Sequence, residues 1–328
     1  MSVPKILVTN RISRCGIEKL EECGFQLAWS ESNAVADVKT LIGTCDGIIA
    51  RMTPIREELL ESAPSLKIIG MHGAGLDGID MRLATEKGIA VTHTPGANAI
   101  SVAENVMGMI LNLAKNAIQA DHALRVEGRF HARDRFVGHD LAGKTLGIAG
   151  LGRIGRKLAG IAGSGFEMKV IACDPYVSAE EMRRIGAGVE KKDTIEEVMA
   201  QADYVSFHTP MTPDMVGFVN YDRLRLMKPS AYLINEMRGA LVNEADLKRA
   251  LEEGVIAGAA LDVFSKEPTP SDFALFQAPN LIATPHIGAS TQESMERTIL
   301  TLAEDFRRFF NGERPEFLAN PDYDRQRR

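Results

Sequence analysis

The sequence predicts a protein of two α/β domains, each built on a doubly wound parallel sheet. The chain has 328 residues, enough for two domains of ordinary size. In both halves, short apolar runs of strand length alternate with segments of helical spacing, which is typical of parallel sheets joined by helical crossovers. A glycine-rich turn between an apolar run and a helix-compatible segment marks the start of the second sheet.

The first half supplies the elements of one sheet. Apolar runs predict strands at residues 6–8, 47–50, 66–69 and 89–91, and helical spacing predicts helices near 16–22 and 57–62. A loop at residues 93–98, which contains both proline and glycine, follows the last strand. We interpret this loop as the crossing into the second domain.

A long apolar helix is predicted after this loop. Ser101 and Glu104 have the spacing of a capping box, in which two side chains satisfy backbone N–H groups at a helix start. Apolar side chains behind them repeat at helical spacing as far as Ala117. The helix is expected to pack within its own domain, and a contact with a second subunit is the alternative.

The second half predicts another α/β sheet, beginning at Lys144. Its strands are predicted at residues 145–149, 168–173, 204–207, 231–234, 255–264 and 281–283. Ser290 and Glu293 repeat the capping-box spacing, so a final helix is predicted from there to about residue 310. Asn311 and Gly312 then provide its C-terminal stop.

The glycine turn has the Gly-x-Gly-x-x-Gly spacing of a dinucleotide site. Gly150 permits the tight turn, Gly152 lets the backbone approach a pyrophosphate, and Gly155 allows the helix to pack closely on the strand. Arg153 and Ile154 open the helix, whose N-terminus faces the phosphates with free N–H groups and the positive end of its dipole. All five residues are therefore predicted to bind the cofactor.

Asp174 makes this prediction more specific. It ends the next apolar run, 19 positions after Gly155, where a carboxylate can accept hydrogen bonds from both hydroxyls of a ribose. A carboxylate there also repels a 2′-phosphate, and neither Pro175 nor Tyr176 supplies a cation to bind one. The sequence therefore predicts NAD rather than NADP. The alternative interpretation is a tight turn in some other α/β protein.

Composition excludes several other classes of protein. The net charge of −6 supplies no broad basic field for nucleic acid or an anionic membrane, so neither partner is expected. No window approaches 18 apolar residues and no secretion signal is evident, so we expect a cytoplasmic protein that spans no membrane. The cysteines form no Cys-x-x-Cys pair and are expected to be reduced, with no metal site: Cys15, Cys23, Cys45 and Cys173.

Three polar residues follow predicted strands of the second domain. Ligands of open α/β sheets bind beyond the carboxyl ends of the strands, where Arg238, Glu267 and His286 are expected. A guanidinium can grip a carboxylate bidentately, and an imidazole can exchange a proton with an oxygen near neutral pH. An acid bonded to the other ring nitrogen would fix the histidine tautomer.

Each of these three residues also has an ordinary interpretation. Arg238 could lie in a surface turn, Glu267 could be a solvated loop charge, and His286 could be a structural histidine. Their joint placement after strands of the domain with the glycine turn favours a hydride-transfer site. In such a site the nicotinamide cofactor supplies the hydride chemistry.

With these motifs the chain resembles the D-isomer-specific 2-hydroxyacid dehydrogenase family, and within it the 3-phosphoglycerate dehydrogenase branch. The resemblance extends over nearly the whole chain. The segments that carry it are residues 73–80, 98–104, 146–155, 208–210, 234–239, 259–268 and 285–290. It implies an NAD-dependent oxidoreductase that interconverts a 2-keto acid and a D-(R)-2-hydroxy acid, with Arg238, Glu267 and His286 as the catalytic set.

The resemblance also implies an architecture. A Rossmann NAD-binding domain of residues 99–289 is inserted in a flavodoxin-like outer domain, which binds substrate and comprises residues 1–98 and 290–328. Family members are usually homodimers, with the helix after Ser101 near the interface. The chain is expected to be a short form without a regulatory extension.

Further site residues are assigned by the same resemblance. On the cofactor side it implies roles for Thr209, for Asp262 beside the nicotinamide carboxamide, and for Ser101. On the substrate side, the loop with Ala74 and Gly75 is expected to offer backbone N–H groups to the substrate carboxylate.

Several departures from the branch leave the substrate open. Met71 stands where phosphoglycerate dehydrogenases tend to carry a basic residue, although Arg51 and Arg135 remain as possible phosphate partners. The candidates for side-chain recognition are Arg51, Met52, Met71, His72, Leu76 and Asn98. A methionine-rich wall would suit an apolar substrate tail, although methionine is also a common gap-filler in cores. Glu236 replaces a small residue, and nothing in the sequence explains it.

Other functions found on the same fold call for different residues at some of these positions. Formate enzymes carry Gln in place of Glu267, and phosphite enzymes carry Lys near Ala74, so neither function is favoured. An NADH-sensing, corepressor-like interaction protein would share the fold and the Arg–Glu–His set. It remains the alternative from a different functional class.

Overall fold

The computed structural model describes residues 3–324 and divides the chain into two compact units. Met1–Asn98 and Ser290–Arg328 form the discontinuous unit, and Ala99–Ala289 form the continuous unit. Each unit contains one parallel sheet, with five strands in the first and seven in the second. The predicted class of two doubly wound α/β domains is therefore confirmed. No helix among residues 3–324 is long and apolar enough to cross a membrane.

The strands are numbered in chain order. They are β1 (Lys5–Val8), β2 (Gln26–Trp29), β3 (Gly47–Ala50), β4 (Ile68–Met71), β5 (Ala90–Thr92), β6 (Thr145–Ala149), β7 (Lys169–Cys173), β8 (Val189–Lys191), β9 (Tyr204–Phe207), β10 (Tyr232–Asn235), β11 (Gly258–Leu261) and β12 (Leu281–Ala283).

The helices are numbered in the same way. They are α1 (Arg14–Glu22), α2 (Val35–Ile42), α3 (Glu57–Glu61), α4 (Met81–Glu86), α5 (Ala99–Lys115), α6 (Ala117–Arg125), α7 (Arg153–Gly160), α8 (Ala179–Arg183), α9 (Ile195–Gln201), α10 (Tyr221–Leu224), α11 (Glu244–Glu252) and α12 (Gln292–Phe310).

The discontinuous unit has the strand order β2-β1-β3-β4-β5, which is the flavodoxin-like order. Its C-terminal helix, α12, belongs to this unit because Phe306 fills space that two glycines leave on the sheet. A Cβ on Gly47 or on Gly70 would lie 2.9 or 2.6 Å from the Phe306 ring. Phe306 is fully buried, so the chain returns to complete the core of its first unit.

The continuous unit has the strand order β12-β11-β10-β9-β6-β7-β8, the doubly wound order of a Rossmann sheet with one further strand. The order reverses between β6 and β9, which divides the sheet into two halves. Helix α5 packs on this sheet through Val106 and Ile110, which share a buried cluster with Ile148 of β6 and Leu158 of α7. The carboxyl ends of all these strands meet at one edge.

Both predicted capping boxes were wrong. Helix α5 begins at Ala99, so Ser101 lies in its first turn and is 3% exposed. At α12 the N-cap is Thr291, whose hydroxyl accepts a hydrogen bond from the Ser294 backbone N–H at 3.1 Å. The Ser-x-x-Glu pattern also fits positions inside a helix, and a neighbouring hydroxyl can take the cap instead.

Other boundaries also differ from the predictions. Helix α5 ends at Lys115, because Asn116 has a φ of 53° and Ala117 starts α6. Strand β11 ends at Leu261 rather than at Phe264. Nine of the numbered elements were missed, and the two strands among them bury few of their side chains: β2, β8, α2, α4, α6, α8, α9, α10 and α11.

Candidate active site

The glycine turn after β6 is shaped by two close backbone approaches. Gly150 has a φ of 92°, and a Cβ there would lie 2.7 Å from the carbonyl oxygen of His208. A Cβ on Gly155 would overlap the carbonyl oxygen of Gly150. Gly150 is therefore required for both its backbone conformation and its packing, and Gly155 for its packing alone.

Gly152 differs from these two glycines because its space is open. It is the N-cap of α7, and no heavy atom lies within 4 Å of where its Cβ would be. The Thr209 backbone nitrogen lies beside Gly150, and the buried Thr209 hydroxyl oxygen has no hydrogen-bond partner within the described chain. An open face at a helix N-terminus next to an unsatisfied hydroxyl fits the pyrophosphate of a dinucleotide.

Asp174 is held against the same turn. One carboxylate oxygen accepts the Leu151 backbone N–H at 2.8 Å, and the other accepts the Tyr176 N–H at 2.9 Å. The side chain is partly exposed, and each oxygen keeps a second acceptor site. The carboxylate is thus oriented by its own chain while it remains able to accept further hydrogen bonds. Ribose binding by Asp174 stays a prediction.

His286 and Glu267 form a pair, as the sequence predicted. His286 Nδ1 lies 2.7 Å from Glu267 Oε2, and Glu267 Oε1 accepts the Phe264 backbone N–H at 3.0 Å. Because both oxygens of Glu267 are engaged, its carboxylate holds the ring in one orientation. This arrangement assigns the pairing to Nδ1 and leaves Nε2 as the ring nitrogen that faces away from Glu267.

The loop that carries His286 is held by the buried Asp262, which is 1% exposed. Its carboxylate accepts hydrogen bonds from the Thr284 hydroxyl at 2.6 Å and from the backbone N–H groups of Ile287 at 2.8 Å and Gly288 at 2.7 Å. His286 itself has a φ of 56°, in the left-handed region that a side chain rarely occupies. The surrounding hydrogen bonds therefore impose this backbone conformation on a candidate catalytic residue.

Arg238 lies on a short segment after β10 that Asn235 clamps. The Asn235 side chain donates to the Arg238 carbonyl at 2.9 Å and accepts the Met237 N–H at 3.0 Å. A Cβ on Gly239 would overlap the Phe264 carbonyl group, so this segment packs backbone to backbone against the one that leads to Glu267. The fold thus brings together the segments of all three predicted catalytic residues at one edge of the sheet.

Glu236 is the residue of this edge that sequence reasoning did not explain. It is 9% exposed, and its Oε1 accepts a hydrogen bond from the Asn105 side chain of α5 at 2.9 Å. Burial, together with the nearby Asp262 carboxylate, raises the pKa of Glu236 to about 8. In the sequence, the one indication of a special role for Glu236 was the position of a charged residue directly after a buried strand.

The discontinuous unit places its predicted substrate residues after β4. The carbonyl of Ala74 lies 2.8 Å from His93 Nδ1, and Gly75 follows it in the same partly exposed loop. Met71, the last residue of β4, is 6% exposed and lies in the hydrophobic core, so packing accounts for it. Asn98 is partly buried at the end of this part of the unit.

Arg51 and His72 lie near each other in this unit. The Arg51 guanidinium donates to the Ser290 hydroxyl at 2.8 Å. Burial, together with the Arg51 charge, lowers the pKa of His72 to about 4, so this histidine is neutral at physiological pH. His72 is one of the residues predicted from the sequence to contact the substrate, and that role stays a prediction.

A glycine turn at a helix N-terminus and a histidine–carboxylate pair at neighbouring strand ends are together typical of nicotinamide-dependent oxidoreductases. The chain belongs to the D-isomer specific 2-hydroxyacid dehydrogenase family: residues 107–288 match its NAD binding domain. This match confirms both the family resemblance and the prediction of NAD as the cofactor.

The chain is also similar to proteins named D-3-phosphoglycerate dehydrogenase. The chain is 40% identical over 317 residues to a D-3-phosphoglycerate dehydrogenase of Methanocaldococcus jannaschii, covering 96% of this chain and 59% of that protein. It is 40% identical over 309 residues to the enzyme of that name from Bacillus subtilis, covering 94% and 57%. The chain thus spans little more than half the length of these two relatives.

Solved structures are similar over nearly the full chain. An NAD+-bound 3-phosphoglycerate dehydrogenase of Entamoeba histolytica has a TM-score of 0.82 and 26% identity, covering 97% of this chain and 99% of that one. An NADPH-dependent glyoxylate/hydroxypyruvate reductase of Sinorhizobium meliloti, in complex with NADP and malonate, has a TM-score of 0.82 and 29% identity, covering 98% of each chain. Proteins of this fold thus include users of both nicotinamide cofactors.

Proposed function

We propose that the chain is an NAD-dependent oxidoreductase that interconverts a 2-keto acid and a D-(R)-2-hydroxy acid. The observation that carries this proposal is the His286–Glu267 pair, held at 2.7 Å on a loop next to the Arg238 segment in the NAD-binding unit. An acid–base group beside a guanidinium is the combination that a substrate with adjacent carbonyl and carboxylate groups needs.

The roles of the side chains follow from their bonding. In the reductive direction, His286 donates the proton from Nε2 to the carbonyl oxygen while Glu267 stabilises the charged ring through Nδ1. Arg238 binds the substrate carboxylate with its planar fork of N–H donors. The nicotinamide cofactor, when bound, supplies the hydride. The proton and the hydride are thus delivered by separate groups.

In the discontinuous unit we propose that the backbone N–H groups of Ala74 and Gly75 bind the substrate carboxylate. Recognition of the rest of the substrate is assigned to Arg51 and Asn98, while Met71, another of the predicted residues, packs in the core. Arg51 offers a cation, whereas Met71 is buried in the core and offers little surface. These features favour a substrate with a polar or anionic tail over one with an apolar tail.

The direct test is oxidation of NADH in the presence of a panel of 2-keto acids, from glyoxylate and pyruvate through hydroxypyruvate and phosphohydroxypyruvate to branched and aromatic acids. We expect turnover that is faster with NADH than with NADPH, because Asp174 repels a 2′-phosphate. We expect the anionic or polar members to rank first. Absence of turnover across the panel, with NADH still bound, would instead support the NADH-sensing interaction protein.

We also propose that the chain forms a homodimer through α6 and the segment after it. Five large apolar side chains of this stretch are each at least 49% exposed: Ile118, Leu124, Val126, Phe130 and Val137. Apolar side chains clustered in one short stretch mark a surface that another protein covers. A second copy of the chain is the partner we propose.

Replacing both Leu124 and Phe130 by aspartate is expected to convert the dimer into a monomer, because two charges would enter an apolar interface. Light scattering coupled to size-exclusion chromatography over a range of concentrations measures the change. Leu226→Asp, which alters another exposed leucine of the same unit, should stay dimeric. A wild-type monomer, or a double variant that remains dimeric, contradicts the proposal.

A cytoplasmic location is also proposed. All four cysteines are free thiols, which is the state expected of a protein in a reducing compartment.

A further inference from the structure

Two acidic residues lie side by side at the carboxyl edge of the continuous unit. Glu236 follows β10 and Asp262 follows β11, and these strands are neighbours in the sheet. A Cβ on Gly288 would lie 2.6 Å from Glu236 Oε2 and 3.1 Å from Asp262 Oδ2. Both carboxyl groups therefore approach the same point, directly beneath a glycine that leaves room for them.

The two groups differ in their hydrogen bonds. Asp262 accepts three hydrogen bonds from the loop that carries His286. Glu236 accepts one, from Asn105 to Oε1, while its buried Oε2 has no partner within residues 3–324. A buried polar atom without a partner carries a free-energy cost unless a ligand satisfies it.

The protonation of Glu236 decides what Oε2 can do. Burial, with a smaller contribution from the Asp262 charge, raises the pKa of Glu236 to about 8 against the opposing effect of the Asn105 hydrogen bond. The charged side chain that acts on Glu236 is Asp262. Its other neighbour, Asn105 of α5, is polar but uncharged. At pH 7 the carboxyl is therefore mainly neutral. Because Oε1 accepts from Asn105, the proton belongs on Oε2.

The position of Glu236 and Asp262 in the sheet indicates which part of a dinucleotide lies beside them. A dinucleotide lies across the point where the strand order reverses, with one mononucleotide on each half of the sheet. The glycine turn and Asp174 belong to the half formed by β6, β7 and β8, which suits the adenosine part. Glu236 and Asp262 belong to the half formed by β9, β10, β11 and β12, which suits the nicotinamide part.

We propose that Glu236 is a further cofactor-binding residue, which donates a hydrogen bond from Oε2 to the carboxamide oxygen of the nicotinamide. A primary carboxamide presents one acceptor and one donor group, and a neutral carboxyl beside a carboxylate is complementary to both. Asp262 keeps an acceptor site for the carboxamide N–H because its carboxylate uses three of about four lone pairs. This inference depends on the proposed NAD-dependent function.

The test is a calorimetric titration of the full chain with NADH and, separately, with ADP-ribose, which lacks the nicotinamide. Glu236→Ala is expected to weaken NADH binding roughly tenfold, the effect of losing one buried hydrogen bond. ADP-ribose binding should be unchanged, which also shows that the variant is folded. Glu236→Gln keeps a neutral donor of the same shape and should retain most of the NADH affinity.

The pH dependence provides a second readout that a purely structural role would not produce. As pH rises from about 7 to 9, Glu236 loses its proton and with it the donor, so the NADH affinity of the wild type should fall. Glu236→Gln cannot titrate, and its NADH affinity should stay level over the same range. ADP-ribose affinity should be level in both proteins.

Distinct outcomes overturn the inference. Unchanged NADH binding in Glu236→Ala, equal weakening of NADH and ADP-ribose, or the same fall with pH in Glu236→Gln would each contradict the proposed hydrogen bond. A wild-type chain that binds neither ligand would overturn the proposed NAD-dependent function itself, and the inference with it. The ADP-ribose titration of the wild type separates these two failures.

Discussion

His286→Ala is expected to lower kcat by about two to four orders of magnitude while the affinity for NADH stays unchanged. General acid–base catalysis by a positioned side chain contributes rate factors of this size. The Glu267 carboxylate, 2.7 Å from Nδ1, orients the ring for this role, and alanine provides no proton donor in its place. Steady-state kinetics with the preferred 2-keto acid and a separate NADH titration measure the two quantities.

The matched control for this variant is His139→Ala, which removes an exposed histidine of the same unit. Its kcat should remain within about twofold of wild type, since surface substitutions have small effects. A His286→Ala enzyme with near-normal kcat would show that another group transfers the proton. Loss of NADH binding in that variant would instead indicate that His286 acts mainly on the cofactor.

Gly152→Ala is expected to weaken NADH binding by at least tenfold and to leave the fold intact. Beyond the adjoining backbone, no heavy atom lies within 4 Å of the new methyl group, and Gly152 has a φ of −70°, which alanine adopts readily. The free energy of unfolding should therefore change by less than about 1 kcal/mol, as at an N-cap position. The methyl group would, however, occupy the open face to which we assign the pyrophosphate.

Gly160→Ala is the control on the same helix. Its Cβ position is also open, and its backbone is helical, so this variant should bind NADH normally and be slightly more stable. Calorimetric NADH titrations and thermal unfolding of both variants provide the comparison. Normal NADH binding by Gly152→Ala would place the pyrophosphate elsewhere, whereas a large loss of stability would mean that Gly152 is needed for folding.

Much of the fold could be predicted because its signals are local. The apolar run of β6, the glycines after it and the acid after β7 lie within 30 residues, and their order defines a βαβ unit. Strands β3, β9 and β12 were also predicted because the alternation of apolar runs and helical segments marks them. Strands β2 and β8 escaped prediction because few of their side chains are buried, so neither is apolar throughout.

The site was predicted less completely than the fold. Arg238, Glu267 and His286 could be found because residues after parallel strands share one edge of the sheet, whatever the details of the loops. Gly239 could not be interpreted, since its close approach to Phe264 exists only after two distant loops have packed. Glu236 remained unexplained, because its pKa depends on burial and on partners from α5 and from the segment after β11.

The sequence by itself determined the two doubly wound sheets, the dinucleotide turn and the identity of the three candidate catalytic residues. These depend on patterns within short stretches of chain, where residue type and spacing restrict the backbone directly. Only the tertiary structure decided that Thr291 rather than Ser290 caps α12, that Asp262 holds the His286 loop, and that Glu236 is buried beside it. The Asp262 and Glu236 features depend on contacts between segments far apart in the chain, whereas the cap is a local choice between two adjacent hydroxyl residues that the Ser-x-x-Glu pattern does not distinguish.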